Sequence, residues 1–190
     1  MIWVKNLDDN DNWTVYSSEI GANQHLLINS NNAAFTPTNA RWGNTRPTSE
    51  VFTIGDTTTD NEVGSNGDEY IAYCWHSVPG FSKIGTYVGT GNADKGAYIY
   101  CGFKPAWIMV KSLSTTNRWV WYDNQHSDGG GTVNVQKNPI LDGAELENTA
   151  GAQGSGTNQT WDFYGNGFRV LRTGDVYNTA GHSYMFMAFA

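Results

Sequence analysis

The chain reads as all-β, an antiparallel β-sandwich of jelly-roll or lectin-like type built from two similar halves. Three observations predict this. Only 15% of its 190 residues are charged, while Gly, Asn, Thr and Ser are abundant and the helix formers Leu, Lys, Glu and Gln are scarce. Short apolar stretches at strand spacing alternate with turn-forming Gly, Asn and Asp. Met1 to Ser17 also aligns without a gap on Trp107 to Asp123, at an offset of 107 - 1 = 106.

In that alignment Ile2, Val4, Lys5, Leu7, Trp13 and Tyr16 meet Ile108, Val110, Lys111, Leu113, Trp119 and Tyr122. Six identities in seventeen positions, placed where a hairpin has its strands, point to internal duplication rather than chance. The first copy is assigned to 1–79, a linking segment to 80–106 and the second copy to 107–190.

Taken in order, Ile2 to Leu7 and Trp13 to Tyr16 form two strands joined by the polar turn DDNDN. His25 to Asn29, Val51 to Ile54 and Glu69 to Trp75 complete the first copy. Phe81 to Val88 and Ala97 to Cys101 flank GTGNADKG and are expected to form a hairpin that crosses between the halves. Pro105 lacks an amide donor and belongs at a strand start or edge, so a new strand begins at Trp107. The second copy then offers Val133 to Leu141, Gly167 to Leu171 and Ser183 to Phe189. The connections Ser30 to Glu50 and Asp142 to Thr160 are polar, lack helical periodicity and read as loops. A lone five-stranded copy with such long loops buries little apolar surface, so one shared core in a single domain is expected.

A hydrophobic content of 39%, with 14% aromatic, is that of a folded chain. The net charge of -7 carries no basic run, which disfavours nucleic acid as a partner. No apolar run approaches the roughly 20 residues of a membrane helix, and MIWVKNLDDN lacks the basic and apolar regions of a signal peptide, so a soluble chain without membrane insertion or export signal is expected. Cys74 and Cys101 lie in apolar strands without metal or redox spacing. Two buried thiols are expected, with a bridge between them as the alternative.

Asp8, Asn10, Asn12 and Glu19 mimic the oxygen spacing of a calcium loop, but Trp13 stands where its sharp turn wants Gly, and strands flank it instead of helices. The matching LSTTN turn of the second copy carries no carboxylate, so no metal site is assigned. His25, His76, His126 and His182 are dispersed, no HExxH or GxSxG occurs, and GTGNADKG and DGGGT lack the strand-to-helix setting of a phosphate loop. No catalytic residue and no cofactor are assigned. Carboxylate pairs for glycoside hydrolysis depend on separation in space, which keeps a polysaccharide-degrading enzyme as a third reading.

Strand parity puts Trp119 and Trp121 on one face and Val120 and Tyr122 on the other. Trp13 and Trp119 hold the same register, which suits a shared packing role, whereas Trp121 replaces Val15 and fits core or surface. Trp42, in NARWGNTRP, and Trp161, in NQTWDFYGNG, lie outside strong strand patterns. They are the candidates for exposed aromatic faces that pack on a sugar ring, with Trp121 third; plugs for the ends of the sandwich are the competing role.

The segment GTYVGTGNADKGAYIYCGFKPAWIMVKS, the following RWVWYDN, and the earlier WTVYSSEIGANQHLLINSNNA and RWGNTRPTSEVFTIG resemble a duplicated β-module of large tail-associated proteins of bacteriophages, particularly marine ones. The resemblance covers nearly the whole chain and is most specific at GFKPAWIMVK. It implies a non-catalytic virion protein of tail-fibre or adhesin type, in a tail or surface appendage and assembled in the host cytoplasm. A host surface glycan or receptor and other virion subunits would be its partners. A purely architectural virion or filament subunit is the alternative. The first copy starts at Met1 without a counterpart of residues 80–106, which fits either a chain that dispenses with that piece or a part of something longer.

The last strand, SYMFMAFA, carries no charge from Ser183 to Ala190. It is either central in its own sheet or an edge capped by a neighbouring subunit, and the resemblance tips the reading towards a homo-oligomer. One shared core predicts a single cooperative unfolding transition; two well-separated transitions in calorimetry would mean independent lobes.

Overall fold

Every regular element among the described residues is a strand, as the scarcity of helix formers predicts. In the computed structural model of the chain these residues are 1–35, 41–55, 63–65, 67–124 and 161–190. The expected strand Val133 to Leu141, the Asp142 to Thr160 connection, the DGGGT turn and His126 lie outside them. The chain divides into two compact units, Met1–Trp75 and His76–Ala190.

In the first unit, β1 (Ile2–Asn6), β2 (Thr14–Tyr16), β3 (Leu26–Leu27) and β4 (Tyr70–Cys74) form one antiparallel sheet in the order β3-β2-β1-β4. Ile2 and Val4 face a core with Tyr16, Ala22, Trp42 and Val63, against which Phe52 and Ile54 pack. Val51 to Ile54, expected as a strand, joins no ladder among the described residues. A local turn holds Val51, whose carbonyl accepts from Thr48 N–H at 2.8 Å, and Gly55 N–H just beyond the segment donates to the distant Arg41 carbonyl at 2.8 Å, while Phe52 and Ile54 pack against the core. Asn6 organises the β1–β2 turn: its side-chain oxygen accepts from the Asp8 and Asp9 amides at 2.9 and 3.2 Å, and its Nδ2 donates to Asp68 at 2.9 Å.

The second unit has two sheets. In one, β5 (Ser82–Val88), β7 (Trp107–Ser112), β8 (Val120–Asp123) and β11 (Ser183–Phe189) run in the order β5-β11-β7-β8; in the other, β6 (Tyr98–Tyr100), β9 (Trp161–Tyr164) and β10 (Gly167–Val170) run β6-β10-β9. They enclose one core in which Ile108, Val110, Tyr122, Tyr184 and Phe186 meet Ile99, Trp161, Phe168 and Val170. This is the face-to-face packing of a β-sandwich.

The expected Phe81 to Cys101 hairpin does not form: β5 pairs with β11, and β6 pairs with β10 in the other sheet. Asn178, fully buried, carries the connection across. Its Oδ1 accepts from Thr90 N–H at 2.7 Å, its Nδ2 donates to the Arg172 and Asn92 carbonyls at 2.7 and 3.1 Å, and its own carbonyl accepts from Gly91 N–H at 2.9 Å. A Cβ on Gly96 would lie 1.5 Å from the Val170 carbonyl oxygen, so the chain passes there only as glycine. β11 is paired on both edges, which removes the case for a neighbouring subunit capping it.

The hairpins of the two units share one register. Ile2↔Tyr16, Trp3↔Val15 and Val4↔Thr14 become Ile108↔Tyr122, Met109↔Trp121 and Val110↔Val120 when 106 is added to each number. The partners of β1 and β7 also correspond: Cys74 faces Ile2 as Ala188 faces Ile108, an offset of 188 - 74 = 114, and Tyr70 faces Asn6 as Tyr184 faces Ser112.

Both thiols are free, Cys101 buried and Cys74 exposed on the outermost strand of its sheet, so the expectation of two buried thiols holds for Cys101 alone. Burial pushes the Cys101 thiol up to about 11 against the opposing pull of Lys83. One thiol per native chain should therefore react with a chromogenic disulfide reagent, and two after denaturation. The folded state protects the neutral thiol. Its contribution to stability is complete below the ordinary pKa of 9.0 and is lost as pH rises to about 11. Urea titrations at stepwise higher pH should show this decline, and Cys101→Ala should shallow it. Asn178→Ala removes the side-chain acceptor of the Thr90 amide and the side-chain donor to the Arg172 and Asn92 carbonyls, and should lower unfolding free energy by about 2–4 kcal/mol in denaturant titration. An effect under about 1 kcal/mol would show that the connection is held otherwise.

Candidate functional site

Trp42 and Trp161 do not offer the aromatic faces expected of them; each is 1% exposed. Consecutive left-handed residues, Gly43 at φ 55° and Asn44 at φ 50°, fold the loop back and turn Trp42 edge-on to Tyr16 at 5.5 Å. Trp161 opens β9 on its inward parity, edge-on to Tyr177 and Phe168 at 5.8 and 5.6 Å. Trp121 is half-buried, 6.1 Å from Trp107, in a row that continues through Phe189 to Phe81 in 5.8 Å steps. Trp13 and Trp119 share register without sharing burial: Trp119 is closed to solvent, whereas Trp13 is half-buried and stacks on Tyr73 at 6.0 Å.

The surface that combines rings with polar groups is the outer face of β6-β10-β9. Strand alternation sends Ile99, Trp161, Phe168 and Val170 inward, leaving Tyr98 and Tyr100 of β6, Gly167 and Arg169 of β10, and Asp162 and Tyr164 of β9 outward. Tyr98, Tyr100 and Tyr164 are 48%, 64% and 39% exposed. Pairing sets them in two rows, Tyr100–Gly167–Tyr164 and Tyr98–Arg169–Asp162. A Cβ on Gly167 would sit 2.1 Å from the Ile99 carbonyl oxygen, so only glycine fits here, and it is buried while the Tyr98 and Tyr164 rings meet edge-on at 5.7 Å. Tyr100 and Tyr164 stand on strands about 10 Å apart across it, twice the inter-strand spacing.

Each polar group of this face has a defined place. Arg169 donates from Nε to the Gly96 carbonyl at 3.2 Å and from Nη2 to the Asp94 carbonyl at 3.1 Å, which holds its guanidinium beside the sheet. Tyr98 donates to Asn166 Oδ1, and the Asn166 carbonyl accepts from the Cys101 and Gly102 amides at 2.9 and 3.1 Å. Tyr164 donates to Asp162 at 3.0 Å. Desolvation, followed by that carboxylate, holds the Tyr164 phenol above its ordinary range, with Arg169 pulling the other way. The face therefore combines three phenol rings with the side chains of Asp162, Arg169 and Asn166, and the Tyr164 phenol is held neutral. Rings that pack on C–H groups beside groups that bond hydroxyls suit a polyhydroxylated ligand.

These tyrosines are not legible as a site without the sheet. WDFY and GFRV separated by Gly-Asn is a two-residue hairpin signal that would have located β9, and the alternations Y-I-Y and D-F-Y would then have put the phenols on one face. Among the described residues no group of three or more His, Cys, Asp or Glu could hold a metal ion. In the β1–β2 turn, Asp8 accepts from the Glu69 amide at 2.6 Å. No helix among them is long and apolar enough to cross a membrane.

No curated protein and no solved structure matches the chain. A family described as Domain of unknown function (DUF7483) matches residues 1–190, and the chain belongs to that family.

Proposed function

We propose that this chain is a non-catalytic binding module of the virion tail-fibre or adhesin type, which takes host-surface glycans on the outer face of β6-β10-β9. The observation that supports the reading is the group of exposed phenols, Tyr100 beside Tyr98 and Tyr164 whose rings meet edge-on at 5.7 Å, framed by Asp162, Arg169 and Asn166. Wide, shallow faces of this kind bind extended chains better than they enclose a small metabolite. The resemblance of GFKPAWIMVK and its neighbours to phage tail modules supplies the biological setting, with other virion subunits as further partners.

An architectural subunit is the second reading. It is favoured by the row Trp121–Trp107–Phe189–Phe81, whose members are all apolar or indole and whose last ring is 56% exposed. Such a row suits a protein neighbour more than a sugar.

A glycan array presenting bacterial surface polysaccharides separates the readings. Binding is expected, and Tyr100→Ala or Tyr164→Ala should each weaken it roughly tenfold, the loss of about 1.4 kcal/mol of ring packing, without lowering the melting temperature. Binding that survives both substitutions would move the ligand off this face. No binding across the array would leave the architectural reading, and release of reducing ends from a bound polysaccharide would establish an enzyme.

A further inference from the structure

The two units differ in how the partner strand of the central hairpin is finished. In the second unit β11 receives β5 along its outer edge. Gly89 N–H donates to the His182 carbonyl at one end and Ala190 N–H to the Phe81 carbonyl at the other, both at 2.8 Å, so every second residue between, including Phe186 and Ala188, turns its backbone towards β5. In the first unit the equivalent positions are Ala72 (186 - 114) and Cys74 (188 - 114). Trp75 N–H donates to the Met1 carbonyl and Leu7 N–H to the Glu69 carbonyl, which sets Tyr73 and Ile71 towards β1 and turns Ala72 and Cys74 outward. Among the described residues no strand lies on that side. Phe186 and Ala188 are buried under β5, whereas Ala72, Tyr73 and Cys74 are all exposed.

Natural edges of this kind are protected by a charge, a proline or a bulge. Tyr70–Cys74, YIAYC, has no charged residue and no proline, and it runs in unbroken register with β1. Among the described residues this edge carries none of those protections.

We propose that the outer edge of β4 pairs antiparallel with β4 of a second copy of this chain, across a two-fold axis at Tyr73. That register matches the outward backbone of Ala72 in each copy with that of Cys74 in the other, giving four hydrogen bonds from the two residues that point away from β1. It sets Tyr73 against Tyr73 at the close, non-hydrogen-bonded spacing favoured by aromatic pairs. Tyr73 already stacks on Trp13 and Trp75, at 6.0 Å each, so the contact joins two aromatic rows into one. Both edges are uncharged, so no like charges oppose the pairing within Tyr70–Cys74. Two short edges bury less than about 1,200 Å², and the dimer is accordingly weak and concentration-dependent. The two Cys74 become diagonal neighbours roughly 7–8 Å apart, within reach of a short bismaleimide and too far for a disulfide.

The full chain tests this in two ways. Sedimentation velocity should show the dimer fraction rising with concentration, and a short bismaleimide should link chains through Cys74, because Cys101 is buried. Ala72→Pro removes an amide that points away from β1, so it should cut both the dimer fraction and the cross-linked yield at least tenfold while hydrogen exchange at Trp3 and Lys5 stays unchanged. Cys74→Lys leaves the backbone intact and should abolish the dimer by charge alone, which keeps the test open if the proline variant misfolds. A chain that stays monomeric at every concentration overturns the proposal. So does a dimer that persists in both variants.

Discussion

The second unit depends on β11. That strand pairs with β5 on one edge and β7 on the other, and it buries Tyr184, Phe186 and Ala188 in the sandwich core while Met185 and Met187 on its other face are also closed to solvent. A strand buried on both faces and bonded on both edges has no polar position to fill, which is the physical content of an uncharged SYMFMAF. Gly85 shows how tightly β5 lies along it: a Cβ there would meet Phe186 at 3.0 Å. The close pass lets one ring fill the core beneath a neighbouring backbone.

From this arrangement follows the division of the surface. The sandwich requires β6, β9 and β10 to send every second residue inward, and the residues left over are Tyr98, Tyr100, Asp162, Tyr164, Gly167 and Arg169. The candidate site is thus the complement of the core by strand parity, not a separate insertion. The Asn178 network has the same logic: it brings the 89–96 connection beside β10, where its carbonyls at Asp94 and Gly96 hold Arg169 in place.

The first unit repeats the hairpin register, and among its described residues no strand takes the place of β5. Its core is closed instead by a loop layer, with Trp42, Phe52, Ile54 and Val63 covering the sheet face. Burial of a large side chain is worth about 1.5–3 kcal/mol, so Trp42 serves stability from a segment that has no ladder of its own. The loop tryptophan is a structural plug, whereas the exposed Tyr73 lies on β4, with Trp13 just before β2 and Trp75 just after β4 stacked against it.

Local pattern alone determined the all-β class, the strands at Ile2, Trp107 and Ser183, and the common offset of the two hairpins, because alternation and turn residues act within a few positions of each other. Which strands pair was decided only in three dimensions. Phe81 to Val88 and Ala97 to Cys101 look like hairpin partners, yet Asn178, 88 positions from Thr90, draws them into different sheets. Val51 to Ile54 has strand composition, but a local turn to Thr48 holds Val51 and no ladder among the described residues receives the segment. Trp42 and Trp161 were indistinguishable from exposed rings until the backbone at Gly43 and Asn44 and the parity of β9 turned them inward. Exposure is a property of neighbours brought together by folding, and neighbours far apart in the chain leave no trace in local spacing.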